Sequence, residues 1–225
     1  MDGHGQVGHV PYIVVSGNTG TGKSSLLRRL TAEQPLAAWR SEVVDERQFH
    51  HPLLRNMFSD PRTWAYPIQL NFVIQRAMRL LGAAAGHWKS PLLMERCLAE
   101  DALFFDYYRA RGLLPPSTEN AYRSIHRCFV NSTRRPDLTI HLRSRVDAIC
   151  RRLEAAFAGG ERLEELRGSE LHEYVAEMNQ RYDRWAAIAP AGCGVYVEIA
   201  VDELPASDVC REARMAVLSM KEGRE

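Results

Sequence analysis

The octapeptide Gly17-Asn18-Thr19-Gly20-Thr21-Gly22-Lys23-Ser24 constrains this chain more than any other stretch. It fits G-x-x-x-x-G-K-[ST] at every fixed position. Such a loop needs a buried strand before it and a helix after it, and both flanks have the right character. His9 to Ser16 is compact and β-branched, and reads as a buried strand; Ser24 to Leu30 reads as a helix. Glycines let the backbone wrap tightly and aim N–H groups inward. The helix start adds its positive end. Lys23 suits the β- and γ-phosphates of a nucleoside triphosphate, and the Ser24 hydroxyl suits Mg²⁺. The expected binding set for ATP or another triphosphate is therefore Gly17, Asn18, Thr19, Gly20, Thr21, Gly22, Lys23, Ser24 and Ser25. The motif alone does not separate a kinase from a GTPase or an ATP-driven motor. The bland alternative is a Gly-rich turn followed by a chance Lys-Ser.

The rest of the chain continues the alternation of strand and helix. Arg40 to Asp45, Pro91 to Glu95, Asp137 to Leu142 and Gly194 to Ala200 read as further strands. A long helix is expected from Arg62 to Ala85, where Leu70, Val73, Ile74, Ala77, Met78 and Leu81 keep one apolar face. Asp101 to Arg111 and Glu119 to Val130 read as helices separated by Gly112 and Pro115-Pro116. Val146, Ile149, Leu153 and Phe157 mark another helix, ended by Gly159-Gly160. A charged, mobile stretch from Glu161 to Arg167, a helix from about Ser169 to Ile188 and a C-terminal helix complete the reading. Such alternation implies an α/β fold: a five-stranded parallel sheet with helices on both faces. The 225 residues read as one domain, 1–225, with 1–9 flexible and a short lid at about 151–168.

Charge and cysteine content narrow the class by exclusion. Lys plus Arg number 29 and Asp plus Glu 28, for a net charge of +1. That balance argues against bulk binding of a nucleic-acid polymer or an anionic membrane. No apolar run is long enough to span a bilayer, and the polar N-terminus does not read as a signal peptide. The five cysteines are odd in number and widely spaced, so a cytoplasmic protein with unpaired thiols is expected.

Three segments speak to the acceptor. Val43-Val44-Asp45-Glu46-Arg47 leaves the second strand with carboxylates where a ligand crevice opens, and His51-Pro52-Leu53-Leu54 follows. Asp60-Pro61-Arg62-Thr63-Trp64 leads into Gln69 and Arg76, which share a helix face two turns apart and could read a base edge. Met94-Glu95-Arg96-Cys97 leads into Asp101 and Phe105, which also share a face.

Taken with the loop, these pieces resemble the deoxynucleoside kinase family, over most of the chain from about Tyr12 to the C-terminal strand. The combination carries the resemblance: the loop, Glu46 followed by x-Pro-Leu-Leu, Asp-Pro-x-x-Trp-x-x-x-x-Gln, Glu-Arg-Cys-x-x-x-Asp and Pro-Asp-Leu-x-Ile-x-Leu. The resemblance implies a P-loop kinase fold, Mg-nucleotide as donor, a nucleoside acceptor, nucleoside salvage and a homodimer. It implies catalytic roles for Lys23, for Glu46 as the base toward the sugar 5′-OH, and for Arg96 at the transferring phosphate. It gives Glu95 a place beside the metal with Ser24, and base-reading roles to Gln69, Arg76, Asp101 and Phe105. An Asp101 carboxylate accepts from an exocyclic amine and repels a carbonyl, so purine or deoxycytidine nucleosides are expected over thymidine.

The chain departs from the family pattern in places. Most relatives carry a tyrosine at the position of Phe58, whose hydroxyl meets the sugar 3′-OH; Phe58 lacks it, so either another residue supplies the contact or the sugar differs, which leaves room for a modified nucleoside. Cys97 stands where a serine is usual. Arg151, Arg152, Arg162 and Arg167 occupy the lid stretch without aligning to its usual pattern. Ordinary structural roles stay open: Glu46 as a solvated strand-end acid, Gln69 with Arg76 as a polar helix face, Arg76 with Asp101 as a structural pair, Phe105 as core. Rival functions are a nucleoside monophosphate kinase of the thymidylate kinase type and a non-catalytic nucleotide-switched binding protein.

Overall fold

The computed structural model describes residues 10–32, 42–44, 54–82, 90–159, 166–189 and 192–222. Its elements run β1 (Tyr12–Gly17), α1 (Lys23–Ala32), β2 (Glu42–Val44), α2 (Leu54–Ser59), α3 (Pro61–Gly82), β3 (Leu92–Glu95), α4 (Leu98–Ala110), α5 (Thr118–Ser132), β4 (Leu138–Arg143), α6 (Val146–Ala158), α7 (Gly168–Ala186), β5 (Val195–Ala200) and α8 (Ala206–Glu222). The strands form one sheet of order β2-β3-β1-β4-β5, parallel throughout. That is the expected architecture, with β1 at its centre.

Side chains alternate across the strands, and each face has its own helices. Ile13, Val15, Leu93, Ile140 and Ile199 meet Leu27 and Leu30 of α1 and Ala213 and Val217 of α8. On the other face Tyr12, Val14 and Met94 meet Val73 and Ala77 of α3, Phe104 of α4, Ile149 of α6 and Met178 of α7. β1 is buried at every position, as a central strand covered on both faces must be.

Local chemistry sets the element boundaries. Asp60 caps α3, its Oδ1 accepting from Thr63 N–H at 3.3 Å, and Pro61 follows at the first helical position, where its missing N–H costs nothing. The short helix α2 is absent from the sequence reading. The Arg40 to Asp45 strand is described only at Glu42–Val44. Where β1 and β4 begin, their register is pinned by Asp137, which accepts from Tyr12 N–H at 2.7 Å and also pairs with Arg134. Gly194 enters β5 at φ +65, and a Cβ there would lie 2.4 Å from the Pro136 carbonyl oxygen. Of the lid stretch, 151–158 belongs to α6, and 160–165 lie outside the described residues.

Among the described residues no helix is long and apolar enough to cross a membrane. None of the cysteines forms a disulfide. The charged residues Lys23, Arg76, Glu95, Arg96, Glu100 and Asp101 are all buried, and they gather where β1 and β3 end.

Candidate active site

The parallel pairing of β1 with β3 sets Val15 opposite Glu95, so the loop after β1 and the turn after β3 leave the sheet side by side. Gly17 makes the exit at φ +133; a Cβ there would lie 2.5 Å from the Leu142 carbonyl oxygen, which only glycine avoids. Lys23 Nζ donates to the Asn18 carbonyl at 2.8 Å, closing the loop on itself, and sits 3.6 Å from Glu95 Oε1. The Ser24 hydroxyl donates to Glu95 Oε2 at 2.9 Å. Ser25 points outward, its hydroxyl accepting from Arg28 at 3.4 Å. One carboxylate thus receives both the lysine and the serine of the loop.

Asn18 ties this loop to the other side of the molecule. Its Oδ1 accepts from Thr19 N–H at 2.7 Å, while its Nδ2 donates to the Val175 carbonyl at 3.1 Å and to Asn179 Oδ1 at 2.6 Å. Both partners are on α7. Nothing in the local sequence signals this tie, because Asn18 is a variable position of the loop pattern and α7 lies far along the chain.

The turn after β3 is strained. Arg96 has φ +62, the one described non-glycine residue with positive φ. Its N–H donates to the Val15 carbonyl at 3.0 Å, its guanidinium lies 4.4 Å from the centre of the Phe104 ring, and Nη2 donates to Thr19 Oγ1 at 3.2 Å. Arg96 therefore reaches the phosphate loop itself. Directly after it, Cys97 N–H donates to Glu100 Oε1 at 2.9 Å, and Glu100 Oε2 accepts from the Tyr182 hydroxyl at 3.1 Å. The helix starts at Leu98, ahead of the expected Asp101. Glu100 at the third helical position is the missed signal, a capping-box acid whose partner is cysteine where serine or threonine is usual.

The residues expected to read a base lie beside this turn. Arg76 on α3 clasps Asp101 with two hydrogen bonds, Nε to Oδ2 at 3.1 Å and Nη2 to Oδ1 at 3.2 Å. Its Nη1 donates to the Glu95 carbonyl at 2.8 Å. Gln69, one α3 face with Arg76, is buried and donates to the Met57 sulfur at 3.7 Å. Phe105 is wholly buried and stacks on Tyr122 of α5, rings 3.9 Å apart and 9° from parallel. Phe58 on α2 is half-buried against the same core. Glu46 lies outside the described residues.

Of the lid arginines, Arg151 and Arg152 lie on α6. Arg152 donates to Asp202 Oδ1 at 2.6 Å and to the Ser144 hydroxyl at 2.9 Å. Asp202 also accepts from Arg145 N–H at 2.6 Å. Burial works to raise the Asp202 carboxyl, but these hydrogen bonds and the Arg152 charge bring it below its ordinary value. α6 also lies against the loop: a Cβ at Gly20 would come within 2.9 Å of Leu153.

A family model described as deoxynucleoside kinase matches residues 13–213. Over 134 residues the chain is 29% identical to a deoxyadenosine kinase of Dictyostelium discoideum, a match covering 58% of this chain and 51% of that one. The chain thus spans about half the length of the curated relative it matches. Its fold is similar to a solved structure of deoxyadenosine kinase from M. mycoides with bound dCTP, at TM-score 0.75 and 18% identity, covering 92% of this chain and 99% of that chain. A structure of the same enzyme with bound dATP matches at TM-score 0.73 and 19% identity, with coverage of 92% and 99%. With the family model running from within the first strand to the last helix, the chain belongs to the deoxynucleoside kinase family.

Proposed function

We propose that this protein transfers the γ-phosphoryl group of ATP, or of another nucleoside triphosphate, to the 5′-hydroxyl of a nucleoside. The observation that carries the reading is the cluster in which Glu95 receives Ser24 and Lys23 while Arg96 reaches Thr19 of the same loop. Phosphoryl transfer is mostly positioning and charge stabilisation, and these residues are built for both. The loop amides from Gly17 to Ser25 and the Lys23 ammonium cradle the donor phosphates. Arg96 neutralises charge on the group in transit. Glu46 takes the proton of the 5′-hydroxyl, a role that a carboxylate ionised at neutral pH can fill.

The donor set fits Mg²⁺. A serine hydroxyl and a carboxylate 2.9 Å apart offer hard oxygen ligands beside the phosphate cradle, and a magnesium ion usually takes the rest of its shell from phosphates and water. When bound, it would draw negative charge from the phosphate oxygens. Ser24 and Glu95 would hold it.

The acceptor is read by Gln69, Arg76, Asp101 and Phe105, with Phe58 near the sugar. The buried Asp101 carboxylate supports a purine or deoxycytidine nucleoside over thymidine, because it pairs with an amine and not with a carbonyl. Phe58 supplies no hydroxyl for the sugar, which extends the reading to modified nucleosides. The known relatives' names, deoxyadenosine kinase in each case, support the same acceptor class. We take residues 1–225 as a single domain with its lid at about 151–168, acting in the cytoplasm as a homodimer. Ile74 and Met78, one turn apart and exposed on α3 at 38% and 60%, support pairing through that helix.

The test is γ-labelled ATP with a panel of deoxynucleosides and nucleoside monophosphates. Label entering deoxyadenosine, deoxyguanosine or deoxycytidine is the expected result. Transfer to monophosphates alone, or to no acceptor, would overturn it.

A further inference from the structure

Glu100 is fully buried, and none of the catalytic, donor or acceptor roles described above uses it. Its carboxylate is a meeting point for three parts of the site. Oε1 accepts from Cys97 N–H, the residue that follows the strained Arg96, at 2.9 Å. Oε2 accepts from the Tyr182 hydroxyl on α7 at 3.1 Å. Burial pushes this carboxyl above its ordinary value, and the Arg96 guanidinium, the Cys97 N–H and the Ser16 hydroxyl work against that shift. Ser16 is the last residue before Gly17, and its hydroxyl also pairs with His141 Nδ1 at 3.1 Å.

Tyr182 lies three residues after Asn179, so both project from one face of α7. Asn179 holds Asn18 of the phosphate loop, and Tyr182 holds Glu100. The helix that follows the lid stretch therefore grips the site at two places, the donor cradle and the turn carrying Arg96.

We propose that Glu100 is a positioning residue for phosphoryl transfer, the buried anchor that keeps the Arg96 turn, the end of β1 and helix α7 in one arrangement. The proposal rests on the kinase reading above. A left-handed arginine is costly and persists only where its surroundings over-determine it. The hydrogen bond from Cys97 to Glu100 fixes the peptide directly after that residue, and the Val15 carbonyl fixes its own N–H. A neutral cap would start α4 equally well without the cost of burying a charge. What the carboxylate adds is a pair of acceptor oxygens, one holding the peptide after Arg96 and the other holding α7, while Arg96 Nη2 reaches Thr19 of the loop.

Glu100→Gln, Tyr182→Phe and the double variant test this in steady-state kinetics on the full chain, with the melting temperature of each recorded. Glu100→Gln is expected to lower kcat by about 10- to 100-fold, with KM for ATP and nucleoside changed less than about threefold. Tyr182→Phe should lower kcat by a smaller factor, again at steady KM. The double variant should be no slower than Glu100→Gln alone, as expected for groups acting as one unit. Glu100→Asp, which keeps the charge, should recover part of the loss. A residue that only caps α4 would lower the melting temperature and leave kcat alone; that result overturns the proposal, as does a double variant whose loss is the product of the two singles. Should Glu100→Gln fail to fold, Tyr182→Phe decides, and an unchanged kcat there overturns the proposal. An active parent with unaffected variants removes the role of Glu100 only, whereas a parent that phosphorylates no nucleoside removes the kinase reading itself.

Discussion

Arg76 clasps both carboxylate oxygens of Asp101, at 3.1 and 3.2 Å, inside a core where the two side chains are 0% and 4% exposed. With its third nitrogen on the Glu95 carbonyl, this guanidinium joins α3, α4 and the turn after β3. Removing one member of such a pair leaves a buried charge unmatched. Arg76→Met should therefore cost about 3–5 kcal/mol of stability, measured by urea unfolding. A loss under about 1 kcal/mol would mean that water reaches Asp101 freely.

Asp101→Asn keeps the shape of the pair but adds an amide donor that can meet a base carbonyl. The preference for deoxyadenosine or deoxycytidine over thymidine, taken as a ratio of kcat/KM values, should fall by about tenfold or more. Competition assays with paired nucleosides check it. An unchanged ratio would make Asp101 a structural partner of Arg76 and nothing more.

Glu95 is where the loop's lysine and serine converge. Glu95→Gln keeps the volume and loses the charge. Turnover should drop by about 100-fold or more, in the range seen when one electrostatic contact to a transition state is removed. The magnesium concentration giving half-maximal rate should rise. A variant that turns over normally at low magnesium would exclude Glu95 from the metal site.

The fold, and the strand ends and helix faces that group the candidate site's residues, were legible because their signals are local. The loop pattern sits inside one strand–turn–helix unit, and β-branched runs such as Tyr12 to Val15 mark a strand buried on both faces. Arg76 and Asp101 were readable as helix-face residues because each has a helical spacing to a neighbour. What stayed hidden depends on distant contacts. Asn18 with Asn179, and Glu100 with Tyr182, join positions far apart in the chain. Phe105, read as a base-stacking aromatic, has one face on Tyr122, a partner no spacing reveals. Helix α2 was missed because six residues hold too little periodicity to read.

His141 gives the stability profile a direction. Burial, with the Lys23 and Arg143 charges adding to it, lowers the imidazole from its usual 6.5 to about 4. The unfolded chain takes up a proton below 6.5 that the folded chain refuses until about 4. Stability from this group is full above that window and falls by up to about 3 kcal/mol as pH drops through it. Glu100 works the other way, since burial raises its carboxyl and protonation relieves that cost. His141→Gln should flatten the melting temperature between neutral pH and about pH 4.5. An unaltered acid slope would contradict the assignment.

Glu46 is the proposed base, and Glu46→Gln separates chemistry from binding. Turnover should fall by about 100- to 10,000-fold while nucleoside affinity changes little. Near-normal turnover would pass the role to another group.

The most direct measurement is phosphorus NMR of the mixture formed from ATP, magnesium and deoxyadenosine or deoxycytidine, with the 5′-deoxy analogue as control. A nucleoside 5′-monophosphate should appear in step with ADP, and the analogue should give neither beyond background. ADP and inorganic phosphate without any 5′-monophosphate, across the nucleoside panel, would contradict the account.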